Sequence, residues 1–416
     1  MSPRPHVVIV GAGFGGLAAA RRLVSVGSLD VTLVDQRNHH TFQPLLYQVA
    51  TAGLDASDVC YPVRRFARPH PQLRSLQATV TAIDFDARRI DLDTAPALRF
   101  DDVILAPGAV TADFGVPGVA DHAFGLKSAA DAEQLRHHVL RSFDRAAQAG
   151  EGSGADTTIV VVGGGPTGVE LAGGYAELTR RVLLPDYPEL NVDDVRIILI
   201  EGRASLLGGF RPKLRDNARR TLERLGVEVR LDANVQRVDT AGVLLGDGDR
   251  IESKTVVWAA GVRAHPLADA LDLATGPGGR AIVDDRLRVD GRSNVFAIGD
   301  FAATPTEDGP AAQVAAVAVQ GGQYAADAIA ARHRDAPEPE PFRYRDKGSM
   351  ATIGRNNAVV ELPNGFTTTG FVGWIAWLGL HLVMLMGFRN RASVFVNWAW
   401  NYLTYDRGSR VIIEPD

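Results

Sequence analysis

The stretch His6–Leu23, HVVIVGAGFGGLAAARRL, decides the fold. Val7 to Val10 is a continuous apolar run of β-branched residues, the pattern of a strand buried in a parallel sheet. Gly11, Gly13 and Gly16 follow as G-x-G-x-x-G, and Leu17 to Leu23 begins a helix. The glycines have separate tasks: a tight turn, backbone approach to a pyrophosphate, and close packing of helix on strand. The helix N-terminus offers free N–H groups and a positive dipole end to phosphates. A second apolar run, Val31 to Val34, ends in Asp35. That is about twenty residues after the glycines, where a carboxylate meets a ribose hydroxyl. Strand, glycines, helix, second strand and acid agree, so this is a dinucleotide site and not a bare glycine turn or an empty βαβ unit.

The surrounding chain has 416 residues, enough for two or three domains. Hydrophobic content of 46% with 22% charge describes a globular protein. The net charge of −5 and the lack of a long basic run argue against a nucleic-acid partner. Cys60 is the only cysteine, so no disulfide and no C-x-x-C pair forms within the chain; a small inert side chain is expected there. The first strand begins almost at the N-terminus, which leaves no room for a signal peptide and puts the main body in the cytoplasm.

After Asp35, NHHTFQPLLYQVATAGLD is neither alternating nor helical in period. His39 and His40 read as a solvated loop, since no further ligands stand at zinc-like spacing; no metal site is expected. Ala78 to Arg99 reads as short strands with polar turns. Asp102 to Ala106 is a buried strand leading to Gly108, where backbone can approach a ligand.

Glu151-Gly-Ser-Gly is a linker, and the opening pattern then recurs. Thr158 to Val162 is a strand, Gly163, Gly165 and Gly168 repeat the spacing, Leu171 to Arg181 is helical, and the strand Val195 to Ile200 ends in Glu201. The longer gap to this acid holds a loop at Leu183-Leu-Pro-Asp-Tyr-Pro-Glu. Two such motifs imply two cofactors held face to face, one on each domain. Val256 to Ala260 leads to Gly261, and Asn294 to Ile298 leads to Gly299-Asp300. Asp300 fits an N-cap, but an acid ending a central strand points at a ligand in the crevice. The helix Ala312 to Arg332 follows, then a linker from Arg334 to Glu340.

The tail changes character. Phe371 to Phe388 is almost wholly apolar with His381 its only ionisable residue, Arg389 and Arg391 close it, and Trp398, Trp400, Tyr402 and Tyr405 follow. Its length is borderline for a spanning helix. Basic residues and a Trp/Tyr cluster beside an apolar run fit an interfacial helix first, a buried dimer contact second and a spanning helix third.

The chain resembles the two-dinucleotide flavoprotein reductases and, more narrowly, the bacterial type II NADH dehydrogenases, single-subunit NADH:quinone oxidoreductases. TFQPLLYQVATAGL, VVVGGGPTGVELAG, FAIGD, YRDKGSMATIGRNNAV and GWIAWLGLHLVMLMGFRNR with WNYLTYDRGSRVI carry the resemblance. It implies an α/β fold with two Rossmann-like domains and a C-terminal membrane-associating helical segment: residues 1–150 and 265–335 for FAD, 151–264 for NADH, and 341–416 at the C-terminus. FAD, held non-covalently, would contact Gly11, Gly13, Gly16, Asp35, Gln43, Gly108, Gly299 and Asp300; NADH would contact Gly163, Gly165, Gly168, Glu201 and Gly261. Without a cysteine pair, electrons pass directly from flavin to acceptor, unlike in disulfide or sulfide:quinone reductases.

By the same resemblance a hydride passes from NADH to flavin and two electrons then pass to a membrane quinone, without proton pumping. The matching Glu170 is the catalytic candidate for proton supply; the bland alternative is a carboxylate stabilising a helix N-terminus. The family's A-Q-x-A-x-Q on the quinone side becomes Ala315 to Gln320 here, with Ala316 in place of the first Gln and Gln320 as the second. Gln313, three residues earlier, would share their face on a regular helix. The implied partners are quinone and a lipid surface through residues 371–405, a homodimer through the C-terminal region, and no nucleic acid; the implied location is the cytoplasmic face of the cell membrane, peripherally. The alternatives are a soluble NADH-dependent flavin oxidoreductase acting on a small organic molecule or oxygen, and a non-enzymatic NADH-sensing protein.

Overall fold

Continuous apolar runs become the central strands of two parallel sheets. In chain order the elements are β1 (His6–Val10), α1 (Phe14–Val24), β2 (Asp30–Asp35), β3 (Leu73–Gln77), β4 (Asp102–Leu105), β5 (Thr158–Val162), α2 (Pro166–Leu178), β6 (Arg196–Ile200), β7 (Val227–Arg230), β8 (Thr255–Trp258), β9 (Val295–Ala297), α3 (Ala315–Arg332), β10 (Ser349–Thr352), β11 (Ala358–Glu361), β12 (Thr367–Thr369), α4 (Gly370–Met384) and α5 (Phe388–Thr404). This computed structural model describes residues 4–149, 154–289 and 291–412. The expected linker at 151–153 lies outside the described residues; Gly154 already belongs to a short helix, Gly154–Thr157.

Two compact units result. The first comprises Met1–His40, Tyr61–Val110 and Val262–Asp346. Its sheet has the order β9-β4-β1-β2-β3, parallel throughout. The chain builds outward from β1 to β3, then restarts on the other side of β1, so the topological switch lies beside β1. Helices α1 and α3 touch backbone to backbone, because a Cβ on Gly322 would lie 2.2 Å from the Gly15 carbonyl oxygen. The stretch after Ala78 forms the expected short strands, an antiparallel meander.

The second unit comprises Thr41–Cys60, Thr111–Gly261 and Lys347–Asp416. Its parallel sheet, β7-β6-β5-β8, again starts in the interior with the strand that precedes the glycines. An antiparallel sheet, β10-β11-β12, precedes α4 and α5. The stretch 1–150, expected as one body, is thus divided. Residues 41–60 and 111–149 join the second unit because the helix Leu46–Ala50 packs on Ala129–Ala149 and on α2. Residues 341–416 likewise form no separate compact body.

Three local expectations change. The stretch after His40 is helical, one 3-10 turn at Gln43–Leu45 running into Leu46–Ala50. His40 is no solvated loop residue: it is buried, it stands edge-on to Phe14 at 5.0 Å, and its Nδ1–H donates to the Ala12 carbonyl at 3.0 Å. Burial pushes its pKa down to about 4. The segment after Arg181 stays helical, through a π turn at Thr179–Leu183 and a helical turn at Leu184–Asp186. Pro185 sits in the first turn of that last piece, where its missing N–H is tolerated.

Candidate active site

At the carboxyl end of the first sheet the three glycines separate by task. Gly11 has φ +104°, and a Cβ there would lie 2.2 Å from the Ala106 carbonyl oxygen; one on Gly16 would lie 1.8 Å from the Gly11 oxygen. Those two positions tolerate no side chain. Gly13 is different: it is the exposed N-cap of α1, makes no side-chain capping bond, and has nothing within 4 Å of its Cβ position. The free N–H groups of the helix end therefore face an open cradle that a diphosphate fits. Asp35 closes the turn, its Oδ2 accepting from Ala12 N at 2.6 Å and its Oδ1 from Arg37 N at 2.7 Å. Gly108, at φ +80° and free of neighbours, follows β4; Gly299, at φ +67°, and Asp300 follow β9. The structure thus gathers these predicted residues at the ends of neighbouring parallel strands. Gln43 is exposed in the second unit.

The second unit repeats the device. Gly163 has φ +112°, with its Cβ position 2.5 Å from the Ala259 backbone; a Cβ on Gly168 would lie 1.8 Å from the Gly163 oxygen. Gly165, the N-cap of α2, again has open space and no side-chain cap. Glu201 Oε2 accepts from Gly164 N at 2.6 Å and its Oε1 from Arg203 N at 2.9 Å. The Cβ position of Gly261 lies 2.8 Å from the Phe114 ring, so an aromatic face borders this end of β8.

Glu170 lies in the first turns of α2 and is buried. Its Oε1 accepts from Thr352 N at 3.3 Å. Burial pushes its pKa up to about 8, against the Thr352 N–H and the Trp377 indole, which favour the charged form. The carboxyl is therefore protonated at neutral pH. A carboxylate that serves only a helix end is usually exposed and ionised, whereas Glu170 is buried. Trp377, 1% exposed, stands near Tyr47 with ring centres 6.1 Å apart, and His381 stacks on it at 4.0 Å. His381 Nδ1–H donates to the Trp377 carbonyl at 2.7 Å, and burial pushes its pKa down to about 4. Burial, with Glu170 close by, raises the Tyr47 pKa. Tyr47, Thr352 and Trp377 lie in three of the stretches that carry the family resemblance, but nothing in the sequence singles them out within those stretches.

The expected face of Gln313, Ala316 and Gln320 is corrected. Val314 is extended, at φ −129° and ψ 152°, and α3 starts only at Ala315. Gln313 therefore precedes the helix and donates its amide N–H to the Asp300 carbonyl at 2.9 Å. Ala316 and Gln320 do share a helix face. The Gln320 amide brackets the Arg345 backbone, donating to its carbonyl at 2.9 Å and accepting from its N–H at 3.0 Å. Among the described residues no group of three or more His, Cys, Asp or Glu is placed to hold a metal.

The apolar run Phe371–Phe388 is helical only as far as Met384; the chain then breaks, Gly387 takes φ +85°, and a second helix, α5, starts at Phe388. The polarity of α5 is inverted. Asn390 Nδ2, buried, donates to the carbonyls of Ser57, Asp58 and Cys60; Ser393 and Asn397 donate to the Asp58 carboxylate; Asn401 donates to the Gly53 carbonyl. Meanwhile Phe388 is 86%, Leu403 78% and Val383 69% exposed. Arg391 donates to the Val383 and Leu385 carbonyls, capping the end of α4. No described helix is long and apolar enough to cross a membrane.

Two parallel-sheet units, each with a glycine-lined helix start and a strand-end acid, define a two-dinucleotide flavoprotein reductase. The pyridine nucleotide-disulphide oxidoreductase family matches residues 5–322, and the NDH2 C-terminal domain matches residues 347–405. Two type II NADH:quinone oxidoreductases of Mycobacterium tuberculosis are each 38% identical, one over 98% of this chain and 89% of its own, the other over 99% and 91%. In fold the chain is similar to NDH2 from Plasmodium falciparum, solved in complex with NADH, with a TM-score of 0.89 at 20% identity over 99% of this chain and 100% of that one. The chain belongs to the pyridine nucleotide-disulphide oxidoreductase family and, within it, to the type II NADH:quinone oxidoreductases.

Proposed function

We infer that this protein is an FAD-dependent NADH:quinone oxidoreductase that pumps no protons, catalysing NADH + H⁺ + quinone → NAD⁺ + quinol. The observation that carries the reading is Glu170, buried two residues beyond the second glycine motif with its carboxyl accepting from the Thr352 N–H. Bound FAD supplies the two-electron relay between nicotinamide and quinone. Gly11, Gly13, Gly16, Asp35, Gly108, Gly299 and Asp300 would hold it: the open Gly13 cradle takes the diphosphate and Asp35 takes a ribose. Gly163, Gly165, Gly168, Glu201 and Gly261 would bind NADH in the same manner, and Gln43 is assigned to the flavin by family resemblance.

Glu170 supplies the proton that quinol formation requires beyond the hydride equivalent, and solvent restores it. Ala316, Gln320 and Gln313 are assigned to the quinone side. The methyl of Ala316 widens that side and makes it more apolar than two glutamines would. The exposed apolar faces of α4 and α5 support a peripheral contact with a lipid surface, to which we assign the cytoplasmic face of the membrane, and they suit a homodimer contact as well.

Purified protein carrying FAD tests the whole reading. NADH oxidation should turn over rapidly with a short-chain quinone and slowly with oxygen. Comparable rates with both would move the assignment to a soluble flavin oxidoreductase.

A further inference from the structure

The turn that carries Phe114 is tight and strained. Val116 N donates to the Asp113 carbonyl at 3.0 Å, and the two residues between them, Phe114 and Gly115, have φ +53° and +72°. Positive φ at both central positions is the type I′ pattern, which Gly, Asn and Asp favour and a bulky side chain opposes. Burial does not account for the Phe, since it is 66% exposed. The turn is nonetheless fixed to the end of β8. Ala112 N donates to the Gly261 carbonyl at 3.1 Å, and the buried Trp258 indole N–H donates to the Ala112 carbonyl at 2.7 Å. Two ring carbons of Phe114 rest against Gly261, at 2.8 and 3.2 Å from where a Cβ would stand, so only a residue without a side chain leaves the ring that seat. A strained backbone that holds an exposed ring over one strand end points to a ligand contact and not to packing.

Strand order identifies the part of the ligand that meets the ring. In β7-β6-β5-β8 the chain builds outward from β5 and then restarts at β8, so the crevice lies between β5 and β8. The Gly163–Gly168 turn and the start of α2 follow β5 and take the diphosphate; Glu201, following β6, takes the adenosine ribose. The other half of the dinucleotide, the nicotinamide riboside, then extends to the opposite side of β5, over β8, where Gly261 and Phe114 lie. Resting on the NADH assignment of this unit, we propose that Phe114 is a contact residue for the hydride donor: its ring forms an apolar wall against the dihydronicotinamide, the uncharged end of NADH.

Stopped-flow reduction of the holoenzyme by NADH, with ADP-ribose as competitor, separates the two halves of the ligand, because ADP-ribose lacks only the nicotinamide ring. Phe114→Asn suits the turn and removes the aromatic ring. It should leave the melting temperature unchanged or higher while raising the Kd for NADH by about three- to tenfold, the worth of one aromatic contact. Phe114→Tyr should restore NADH binding. The inhibition constant of ADP-ribose should not move, and oxidation of the reduced flavin by a short-chain quinone should keep its rate. An NADH Kd unmoved in Phe114→Asn overturns the proposal. So does an equal weakening of ADP-ribose, which would put the ring against the adenylate half, and so does a failure of Phe114→Tyr to restore NADH binding. If NADH does not reduce the flavin of the unaltered enzyme, the NADH reading falls and the proposal falls with it. If NADH reduces it and ADP-ribose competes, that reading stands and the variants judge Phe114 alone.

Discussion

Asp35 and Glu201 hold equivalent places in the two units. Asp35 ends β2 and Glu201 directly follows β6, and each accepts, at 2.6 Å, from the N–H of the residue after the first glycine of its motif. Each also accepts from the N–H of an arginine two residues on, Arg37 or Arg203. A carboxylate so held bonds a ribose 2′-hydroxyl and repels a 2′-phosphate. The enzyme should therefore prefer NADH clearly, with Arg203 offsetting part of the repulsion. Glu201→Gln keeps an oxygen for Gly164 N and removes the charge, so it should narrow the preference by about tenfold, ~1.4 kcal/mol. The ratio of kcat/KM for NADH and NADPH measures this; equal values in the unaltered enzyme would sink the assignment.

Glu170 makes a pH prediction with a definite sign. Its pKa in the folded protein, about 8, lies above the ordinary 4.5. The fold therefore favours the protonated form, and the contribution of this group to stability falls as pH rises from 4.5 through about 8. Quinone turnover should hold up to that point and decline above it. Glu170→Gln should lower turnover by about a hundredfold or more, remove the alkaline limb and raise the melting temperature relative to the unaltered protein above pH 8. A mutant with the same alkaline limb would point to another titrating group.

His40 and His381 push in the opposite direction. Both are buried neutral with pKa values of about 4, below the ordinary 6.5. Unfolding releases them to take up protons, so their contribution is complete above 6.5 and is lost as pH falls toward 4. Melting temperature should drop across that window, and less steeply in His381→Phe. An identical acid profile in the variant would exclude His381 as a source.

The parts of this molecule that could be read in sequence are those in which backbone geometry demands a residue type locally. Gly11 and Gly163 take φ above +100° with a carbonyl against them, which only glycine accepts. Both motifs, and the acids paired with them, were legible for that reason. The surroundings of Glu170 were not, because Tyr47, Thr352 and Trp377 converge on it from three distant segments and none needs a special conformation. The start of α3 was missed by three residues, since Ala312–Val314 has helix-forming composition yet Val314 is extended. Helix α5 was invisible for a further reason: its polar face is the buried one, so apolar periodicity points the wrong way.

That inversion gives the tail prediction. The two N–H hydrogens of the Asn390 amide are shared among the carbonyls of Ser57, Asp58 and Cys60, so Asn390→Ala should destabilise the protein by about 1–3 kcal/mol through carbonyls left unsatisfied. Exposed apolar residues should behave oppositely. Replacing Phe388 and Leu403 by Asp should leave folding intact and release the enzyme from vesicles, because each Phe or Leu contributes only about −0.3 to −0.6 kcal/mol at the membrane centre while Asp opposes insertion by about 2.5–3.5 kcal/mol. Co-sedimentation with vesicles reads the outcome; a double variant that still sediments would leave the apolar face to a second copy of the chain.

Gln320 is the sharpest remaining test, because its amide serves two ends at once. Its two bonds to the Arg345 backbone pin the segment after the α3 linker, while the family resemblance leads us to propose it for the quinone side. Losing both backbone bonds should destabilise by ~0.5–1.5 kcal/mol each, and this alone would affect every activity alike. A quinone contact predicts something narrower. Gln320→Ala should raise the quinone KM or lower turnover several-fold while stopped-flow reduction of flavin by NADH keeps its rate. Ala316→Gln adds a second amide on the same face without touching Arg345, so it should alter the quinone KM and leave stability nearly unchanged. If Gln320→Ala slows flavin reduction as much as quinone turnover, and Ala316→Gln alters neither, the amide is a structural clamp and the quinone lies elsewhere.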